Sequence, residues 1–390
     1  MAEQVDIPKT SRIPLFALIL GILGLILSVL AYFANSEQFF HSYLVAFVFW
    51  ASIAIGGLFL TLLHYLSGAV WSVVLRRIFE TFMALLPLFV IFFIPIIFGM
   101  YDLYHWTHAD AVEQDALLQE KAPYLNTTFF VIRAFVFLGV WIVFSQLLYR
   151  WSLRNDQTGD ASFLKKAKRL SPLGIILFAI TLSFAAFDWL MSLDPHWYST
   201  IFGIYYFSGS TLAALSLLTL FVLYFDKTGP LNSFLSIEHY HDLGKLLFTF
   251  TVFWAYIAFS QYFLIWYANI PEETIWYLHR WEGSWKYVSL LLVFGHFIVP
   301  FFVLMVRATK RNLGILLAMS VWLLVMHVVD MYWLVMPNLH HEGAHFSWID
   351  IAPFLGIGGI FIGLLYRQLA KHSLVAVQDP KLSESINHRM

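Results

Sequence analysis

Residues 171–197 read SPLGIILFAITLSFAAFDWLMSLDPHW, an apolar run of membrane length that ends in acidic residues. A helix needs about twenty apolar residues to cross the hydrocarbon core of a bilayer, and 171–194 meets that requirement. Asp188 lies inside the run, where an acidic side chain costs about 2.5–3.5 kcal/mol near the membrane centre. The stretch therefore predicts a transmembrane helix in which another group of the protein must compensate the charge of Asp188.

The composition extends this prediction to the whole chain. Of its 390 residues, 60% are hydrophobic and 12% are charged, whereas soluble domains average about 45–50% apolar and about 25% charged residues. The net charge of -1 offers no basic surface for nucleic acid. The absence of cysteine excludes thiolate ligands for an iron–sulfur cluster and haem attachment through Cys-x-x-Cys-His. We therefore expect an integral membrane protein that binds no nucleic acid.

Apolar windows of membrane length recur along the chain and predict ten transmembrane helices. The windows are 14–34, 43–65, 78–99, 128–150, 171–194, 200–225, 243–270, 285–307, 314–336 and 350–370. Lys and Arg favour cytoplasmic loops. With both termini inside, only four of the 23 basic residues lie outside: Lys121, Arg133, Arg280 and Lys286. We therefore expect a multi-pass protein with cytoplasmic N and C termini.

A weak internal repeat relates the fifth and ninth windows. FDWLMSLDP ends the fifth window and VDMYWLVMP ends the ninth. Asp188 and Asp330 are 142 residues apart (330 − 188), and Pro195 and Pro337 are also 142 residues apart (337 − 195). Parallel repeats occur in other membrane proteins, so we predict an all-α protein of two parallel four-helix bundles plus two peripheral helices. The expected boundaries are 1–42 for the N-terminal tail and peripheral helix 1, 43–199 for the first bundle, 200–349 for the second bundle, and 350–390 for peripheral helix 10 and a cytoplasmic tail.

Ionisable residues in the outer halves of the apolar windows are the first candidate site, because such residues usually face a bundle interior or a wet cavity. His327 and Asp330 are three residues apart, so they share a helix face, lie about one turn from each other and can be mutual partners. Arg133 is the expected counter-charge for Asp188 or Asp330. The alternative is that Arg133 and one Asp only tie helices together.

A second set lies near the inner ends of the windows and is the candidate for a proton path. It comprises His64, Tyr65, Glu80, Asp242 and Lys245, with His296 near the middle of the eighth window. Glu80 is its strongest member, because burial favours the neutral form of a carboxyl group. The alternative is that these are ordinary headgroup-level residues and that His296 only bonds to a neighbouring helix.

Two other interpretations of the histidines are weaker. HHEGAH at 340–345 resembles the clustered histidines of zinc or copper sites, but its spacing matches no strong metal signature. His64, His296 and His327 are predicted at different depths, which does not favour a haem held between facing helices. We therefore expect no metal and no haem on this chain.

Two stretches resemble a known family. They are FDWLMSLDPHWYSTIFGIYYFSGS at 187–210 and HDLGKLLFTFTVFWAYIAFSQYFLIWYANIPEET at 241–274. Both are similar to a membrane subunit of alternative complex III, the bacterial quinol:cytochrome c oxidoreductase, which belongs to the polysulfide-reductase, NrfD-like family. The likeness is greatest to the smaller of the two paralogous membrane subunits.

The resemblance implies a cofactor-free subunit of a quinol-oxidising respiratory complex in the bacterial inner membrane. The expected partners are the paralogous NrfD-like membrane subunit, an iron–sulfur subunit, multihaem and monohaem cytochrome c subunits, and lipid. Haems and iron–sulfur clusters would lie on those partners, and menaquinol or ubiquinol is the expected ligand. By analogy, the outer quinol or proton site falls on Asp188, His327, Asp330 and Arg133, and the inner set forms a second half-channel.

Two alternatives belong to other functional classes. One is a passive membrane anchor for redox subunits, and the other is an independent secondary transporter. Transporter sites use interrupted helices at the midplane, and only Pro87, Pro95 and Pro300 indicate breaks in this chain. Because the charges collect away from the midplane, the sequence favours the respiratory subunit.

Overall fold

Long apolar helices form nearly all of the regular structure in the computed structural model, which describes residues 5–7 and 11–388. They are α1 (Ile13–Ala34), α2 (Ser36–Ser67), α3 (Arg76–Ala84), α4 (Leu88–Phe98), α5 (Thr127–Thr158), α6 (Ser162–Trp189), α7 (Phe202–Lys227), α8 (Ile237–Ala268), α9 (Trp285–Met305), α10 (Leu313–Val335) and α11 (Trp348–Leu369). Within the described ranges there is no β-strand. Nine of these helices are long and apolar enough to cross a membrane, and α3 with α4 makes a tenth span if the pair is one broken crossing. The chain is an all-α membrane protein, as predicted.

The ends of the chain are covered only in part. Residues 1–4, 8–10 and 389–390, which belong to the predicted N-terminal and cytoplasmic tails, lie outside the described residues.

The third predicted window, 78–99, is two helices rather than one. α3 ends at Ala84 and α4 starts at Leu88, with the two axes bent by 40°. Pro87 stands immediately before α4, and its missing N–H and fixed ring interrupt the hydrogen-bond ladder of the preceding helix. Pro95 lies within α4 and does not end it.

α2 begins earlier than the predicted start at 43. The Asn35 side chain accepts a hydrogen bond from the Gln38 backbone N–H at 3.0 Å, which caps the helix. Gln38 and Ser42 are buried and both donate to the Asp350 carboxylate at the start of α11. Because these polar residues are paired within the protein, the helix continues through them, and the predicted boundary between 42 and 43 falls inside α2.

α2 and α7 are the central helices and pack against each other. α2 also contacts α3, α6, α10 and α11, whereas α7 also contacts α6, α8 and α10. Around them, α5 packs on α6 and α3, and α9 packs on α8 and α10. Most of the surface of α2 and α7 is therefore covered by protein, so polar groups on them are removed from lipid.

α1 lies at the periphery and is held by α11 through glycine. A Cβ added at Gly24 would stand 2.3 Å from the Gly356 nitrogen, and one added at Gly359 would stand 2.4 Å from the Gly21 nitrogen. No larger residue fits at such a backbone approach, which is typical of helix pairs in lipid. The other faces of α1 expose large apolar side chains, including Phe16 and Phe33.

Successive spans run in opposite directions and define two ends of the protein. The basic end contains the connections 68–75, 159–161, 228–236 and 306–312 and the C-terminal segment 370–388. The loop end contains 99–126, 190–201, 269–284 and 336–347. Asp188 and Asp330 both lie one or two turns before a connection of the loop end.

Candidate functional site

Asp188, in the last turn of α6, is fully buried and bound by two side chains. Arg133 of α5 donates from Nε to Oδ2 at 2.7 Å and from Nη2 to Oδ1 at 3.1 Å. The Tyr124 hydroxyl donates to Oδ1 at 2.9 Å. This two-point guanidinium contact is the strong form of a carboxylate pair, so the charge of Asp188 inside the apolar run is compensated by Arg133.

Tyr124 also holds Arg133 in place. Its backbone carbonyl accepts from Arg133 Nη1 at 2.8 Å, and its ring lies 3.7 Å from the guanidinium carbon. The Phe129 ring covers the same guanidinium at 4.3 Å. Arg133, Asp188 and Tyr124 are therefore one cluster, which we call the Asp188 cluster.

The connection 99–126 closes the end of α6 above this cluster. Tyr104 donates to the Trp189 carbonyl at 3.1 Å, Trp106 to the Ser192 carbonyl at 3.1 Å, and Lys121 to the Pro195 carbonyl at 2.5 Å. The last carbonyls of a helix have no partner within it. These donors satisfy carbonyls in the FDWLMSLDP stretch and fix it against the connection.

An apolar cleft of about 270 Å³ opens beside the Asp188 cluster. Its walls are Lys121, Tyr124, Leu125, Phe187, Met191, Ser192, Pro195, Trp197 and Tyr198. Tyr124 therefore lines the cleft while its hydroxyl donates to Asp188. The buried indole N–H of Trp197 has no hydrogen-bond partner within the described part of the chain, and its ring stacks on Trp276 at 4.3 Å. The cleft thus has mainly apolar walls, and Tyr124 connects it to the buried carboxylate of Asp188.

Three residues of the connection 99–126 have shifted pKa values: Tyr124 and Lys121, which line the cleft, and Asp115. Burial, followed by the negative charge of Asp188, raises the pKa of Tyr124 above its ordinary value, so its hydroxyl stays protonated. Burial lowers the pKa of Lys121, and the charges of Asp194 and Asp115 oppose this shift. A hydrogen bond from His196 lowers the pKa of Asp115.

Asp330, in α10, has a different environment from Asp188. It is fully buried, and its carboxylate accepts hydrogen bonds from the Tyr205 hydroxyl of α7 and from the Trp254 indole N–H of α8, the latter at 3.0 Å. No ion pair to Asp330 occurs in the described residues. A buried carboxylate without a counter-charge is costly, so Asp330 is the carboxyl better suited to carry a proton.

His327 lies on the same helix face but does not bind Asp330. The Ser52 hydroxyl of α2 donates to the Phe49 carbonyl at 2.6 Å, so its oxygen accepts from His327 Nε2 at 2.9 Å. The other ring nitrogen, Nδ1, has no partner within the described part of the chain. His327 and Asp330 thus share a helix face without a hydrogen bond between them, because each side chain is held by neighbouring helices.

His296, predicted near the middle of the eighth span, is fully buried in α9. Its ring stacks on Trp254 at a centroid distance of 3.9 Å and an angle of 27°. Both of its ring nitrogens have no hydrogen-bond partner within residues 5–7 and 11–388. We call Asp330, Trp254, His296, His327 and Tyr205 the Asp330 cluster.

At the basic end, Glu80 is surrounded by positive charge. Arg76 and Arg77 each lie 3.1 Å from its carboxylate, and the hydroxyls of Tyr65 and Ser152 donate to it at 2.9 and 2.8 Å. Arg77 also contacts Asp156, and Arg76 contacts Asp379 at 2.5 Å. Glu80 is buried, as expected from the sequence, and the two arginines that precede it in the chain are its partners.

The other members of the predicted inner set do not meet in one place. His64 lies 2.8 Å from the Ser72 hydroxyl, close to the Glu80 group. Asp242 binds Lys245 at 2.5 Å and His388 at 2.8 Å, at the start of α8. His296 belongs to the Asp330 cluster. The inner set is thus divided between the two halves of the chain.

The HHEGAH stretch binds protein groups. His340 lies 2.6 Å from the Gln38 side chain, and the His345 carbonyl accepts from Tyr332 at 2.7 Å. Across the described ranges, no group of three His, Cys, Asp or Glu side chains is arranged to hold a metal.

Sequence reasoning missed the aromatic and loop residues of both clusters. Tyr124, Tyr205 and Trp254 hold the two aspartates, and Arg280 donates to the Trp333 and Leu334 carbonyls after Asp330. The available signals were weak, because Tyr and Trp are frequent at membrane interfaces and Arg280 was recognised only as one of few outer basic residues.

Comparison with known proteins leaves the family assignment open. No protein-family model matches this chain, and no curated protein has a similar sequence.

Proposed function

We propose that this chain is a membrane subunit of a bacterial quinol:acceptor oxidoreductase of the NrfD-like type, with its cytoplasmic side at the basic end. In this proposal the cleft beside the Asp188 cluster binds the quinol head group. The main support for this proposal is Tyr124, which lines an apolar cleft and also donates a hydrogen bond from its hydroxyl to the buried carboxylate of Asp188.

The cleft has the chemistry that a quinol requires. A quinol ring is apolar with two hydroxyl groups, and ligand sites of this kind combine apolar walls with a few placed polar groups. Tyr124 supplies a hydroxyl that can accept from one quinol hydroxyl, and the aromatic and apolar walls, among them Phe187, Met191 and Trp197, suit the quinol ring.

Oxidation of the quinol releases two electrons and two protons. In this proposal the electrons pass to haem or iron–sulfur groups on partner subunits, as the resemblance to the NrfD-like family implies. Tyr124 takes one quinol proton as it gives its own to Asp188, and the other quinol proton leaves to water through the open side of the cleft. Arg133 keeps a positive charge against Asp188, so the carboxyl releases its proton to water at the loop end and returns to the carboxylate.

The packing of the helices supports the proposed repeat. α2 contacts α7, and the contact of α6 with α7 is matched by a contact of α10 with α2. We infer two four-helix bundles that are related by an approximate two-fold axis along the membrane normal. The first is α2–α6, with α3 and α4 counted as one broken span, and the second is α7–α10. α1 and α11 are then the peripheral helices, and Asp188 and Asp330 occupy equivalent positions in the two bundles.

The first test is purification of the tagged chain from its native membrane in mild detergent. The proposal predicts that haem and iron–sulfur absorbance co-purify with the tag and that the sample reduces a soluble cytochrome c with quinol. Isolation of the chain alone, with quinol oxidation intact in the depleted membranes, contradicts the proposal.

The second test separates a quinol site from a passive anchor. Tyr124→Phe removes the hydroxyl that links cleft and carboxylate, and loss of a proton-transfer group lowers turnover by about 10²-fold or more. Tyr101→Phe is the matched control, because Tyr101 is exposed on the same connection, 99–126, and does not line the cleft. Wild-type turnover of Tyr124→Phe in an assembled complex leaves this chain as an anchor.

A further inference from the structure

A second cleft lies at the loop end, between the start of α7 and the last two turns of α8. Its volume is about 410 Å³, which is within the usual range of small-molecule sites. Tyr198 lines both this cleft and the cleft beside the Asp188 cluster. We call the second cleft the α7–α8 groove.

The α7–α8 groove has a polar half and an apolar half. Ser199, Thr200 and Glu273 line the polar half and belong to the connections of the loop end. Ile204 and Leu264 line the apolar half, belong to the membrane-length helices α7 and α8, and are exposed. The groove therefore crosses the border of the membrane, with its polar half on the side of the connections. A lipid has the same division between headgroup and chains.

Hydrogen bonds hold the polar half of the groove in shape. Ser199 Oγ donates to Gln261 Oε1 at 2.9 Å, and Gln261 Nε2 donates to the Tyr277 hydroxyl at 3.0 Å. Gln261 is buried, and a side-chain amide has two N–H donors, so one donor remains for a ligand. The exposed Thr200 hydroxyl forms no hydrogen bond within the described part of the chain.

Glu273 gives the groove its charge. Of the described residues that line the groove, it alone carries a charge, and no Lys or Arg faces it there. Glu273 is half-buried in the first turn of the short helix Pro271–His279, and its carboxylate forms no hydrogen bond or ion pair within the described residues. A carboxylate repels an anion and attracts a cation at contact distance, so the groove favours a headgroup with a positive charge.

We propose that the α7–α8 groove binds one phospholipid with a primary ammonium headgroup, of the phosphatidylethanolamine type. The ammonium donates to Glu273, the phosphate accepts from Thr200 and from the remaining N–H of Gln261, and the chains lie along Ile204 and Leu264. A choline headgroup has no N–H to donate to the carboxylate. A glycerol headgroup leaves the phosphate charge uncompensated. The groove therefore selects ethanolamine over both.

This lipid site goes beyond the proposed function and does not depend on quinol. Thr200, Gln261 and Glu273 do not line the cleft beside the Asp188 cluster, and lipid binding is measured on the resting protein. A failed lipid test therefore leaves the quinol proposal standing, and loss of the quinol proposal leaves the lipid site untouched.

The test is native mass spectrometry of the purified, delipidated full-length protein. The protein is titrated separately with dioleoyl phosphatidylethanolamine, phosphatidylcholine and phosphatidylglycerol, and we expect the tightest site to prefer phosphatidylethanolamine. Glu273→Gln removes the charge and keeps the size, so affinity for this lipid should fall by about fivefold, as for loss of a partly exposed ion pair. Glu272→Gln is the matched control, because Glu272 is exposed in the same helix turn and does not line the groove.

A second pair of variants tests the apolar half of the groove. Ile204→Trp puts a larger side chain where the acyl chains lie, so it should weaken phosphatidylethanolamine binding. Ile176→Trp is the control, because Ile176 is an exposed apolar residue of α6 that does not line the groove. Both substituted side chains face outward, and circular dichroism verifies that the variants are folded.

Three outcomes overturn the proposal. One is equal affinity for phosphatidylethanolamine and phosphatidylcholine, which would leave only unselective lipid at the protein surface. Another is equal phosphatidylethanolamine affinity of Glu273→Gln and Glu272→Gln, which would remove the carboxylate from the site. The last is a bound isoprenoid quinone, in place of phospholipid, that Ile204→Trp displaces.

Discussion

Replacing Asp188 by Asn leaves the Arg133 guanidinium buried without a counter-charge. The two charge-assisted hydrogen bonds at 2.7 and 3.1 Å lose their anionic acceptor. Removal of one partner from a buried ion pair costs about 3–5 kcal/mol, because the remaining charge is uncompensated. We therefore expect Asp188→Asn to lower the free energy of unfolding by about that amount.

The Arg133→Leu/Asp188→Leu double variant gives the decisive comparison. A buried pair replaced by apolar residues is often neutral in stability, so the double variant should be more stable than either single variant. The measurement is reversible unfolding in mixed detergent micelles, followed by circular dichroism, for the wild type, both single Leu variants and the double variant. Asp115→Asn is the control, because its pair with His196 is exposed and its loss should leave stability unchanged.

The reasoning fails if the effects are additive. A double variant whose destabilisation equals the sum of the two single variants shows no coupling between positions 133 and 188. An Asp188→Asn protein as stable as the wild type would likewise show that Arg133 finds another partner, and the Asp188 cluster would lose its structural basis.

Three further predictions concern other parts of the fold. Gly359→Leu should detach α1 from α11, because a Cβ at position 359 already lies 2.4 Å from the Gly21 nitrogen. Cysteine cross-linking between the two helices measures this, and Gly139→Leu is the control, because a Cβ at position 139 contacts nothing within 4 Å. The contact of Asp115 with His196 should be fully present above pH 3.8, the ordinary pKa of the carboxyl, and should be lost as the pH falls through the lowered pKa of Asp115 in the folded state. Hydrogen exchange of residues 109–121 measured against pH checks this, and loss of the contact near neutral pH would contradict it. Asp379→Asn should release the C-terminal segment from Arg76, which it contacts at 2.5 Å; faster proteolysis within 371–388 is expected, and an unchanged rate would place the anchor elsewhere.

The positions of the helices were predictable because membrane crossing leaves a strong signal in a single sequence. In the described residues nine helices are long and apolar enough to cross a membrane, and the predicted tenth span requires α3 and α4 to form one broken crossing. A run of about twenty apolar residues has few alternatives, and all ten windows contain helix. The errors arose where local chemistry modifies the run. Pro87 breaks the third window, and the pairing of Gln38 and Ser42 with Asp350 lets α2 begin before the apolar run.

The partners of the buried charges were less predictable, because sequence spacing reports neighbours on one helix only. Asp188 and Arg133 were both named, but Tyr124 comes from a connection whose path over the end of α6 has no periodic signal. His327 and Asp330 share a helix face, yet α2 binds one and α7 and α8 bind the other. The partners of Glu80 were not predicted, because Arg76 and Arg77 were counted only as topology signals.

The quinol site is tested most directly by a cryo-electron microscopy map of the purified complex with a saturating quinol-site inhibitor. The account predicts inhibitor density in the cleft beside Phe187 and Met191, within hydrogen-bond distance of the Tyr124 hydroxyl. Inhibitor density confined to another subunit, with this cleft filled only by lipid, would contradict it.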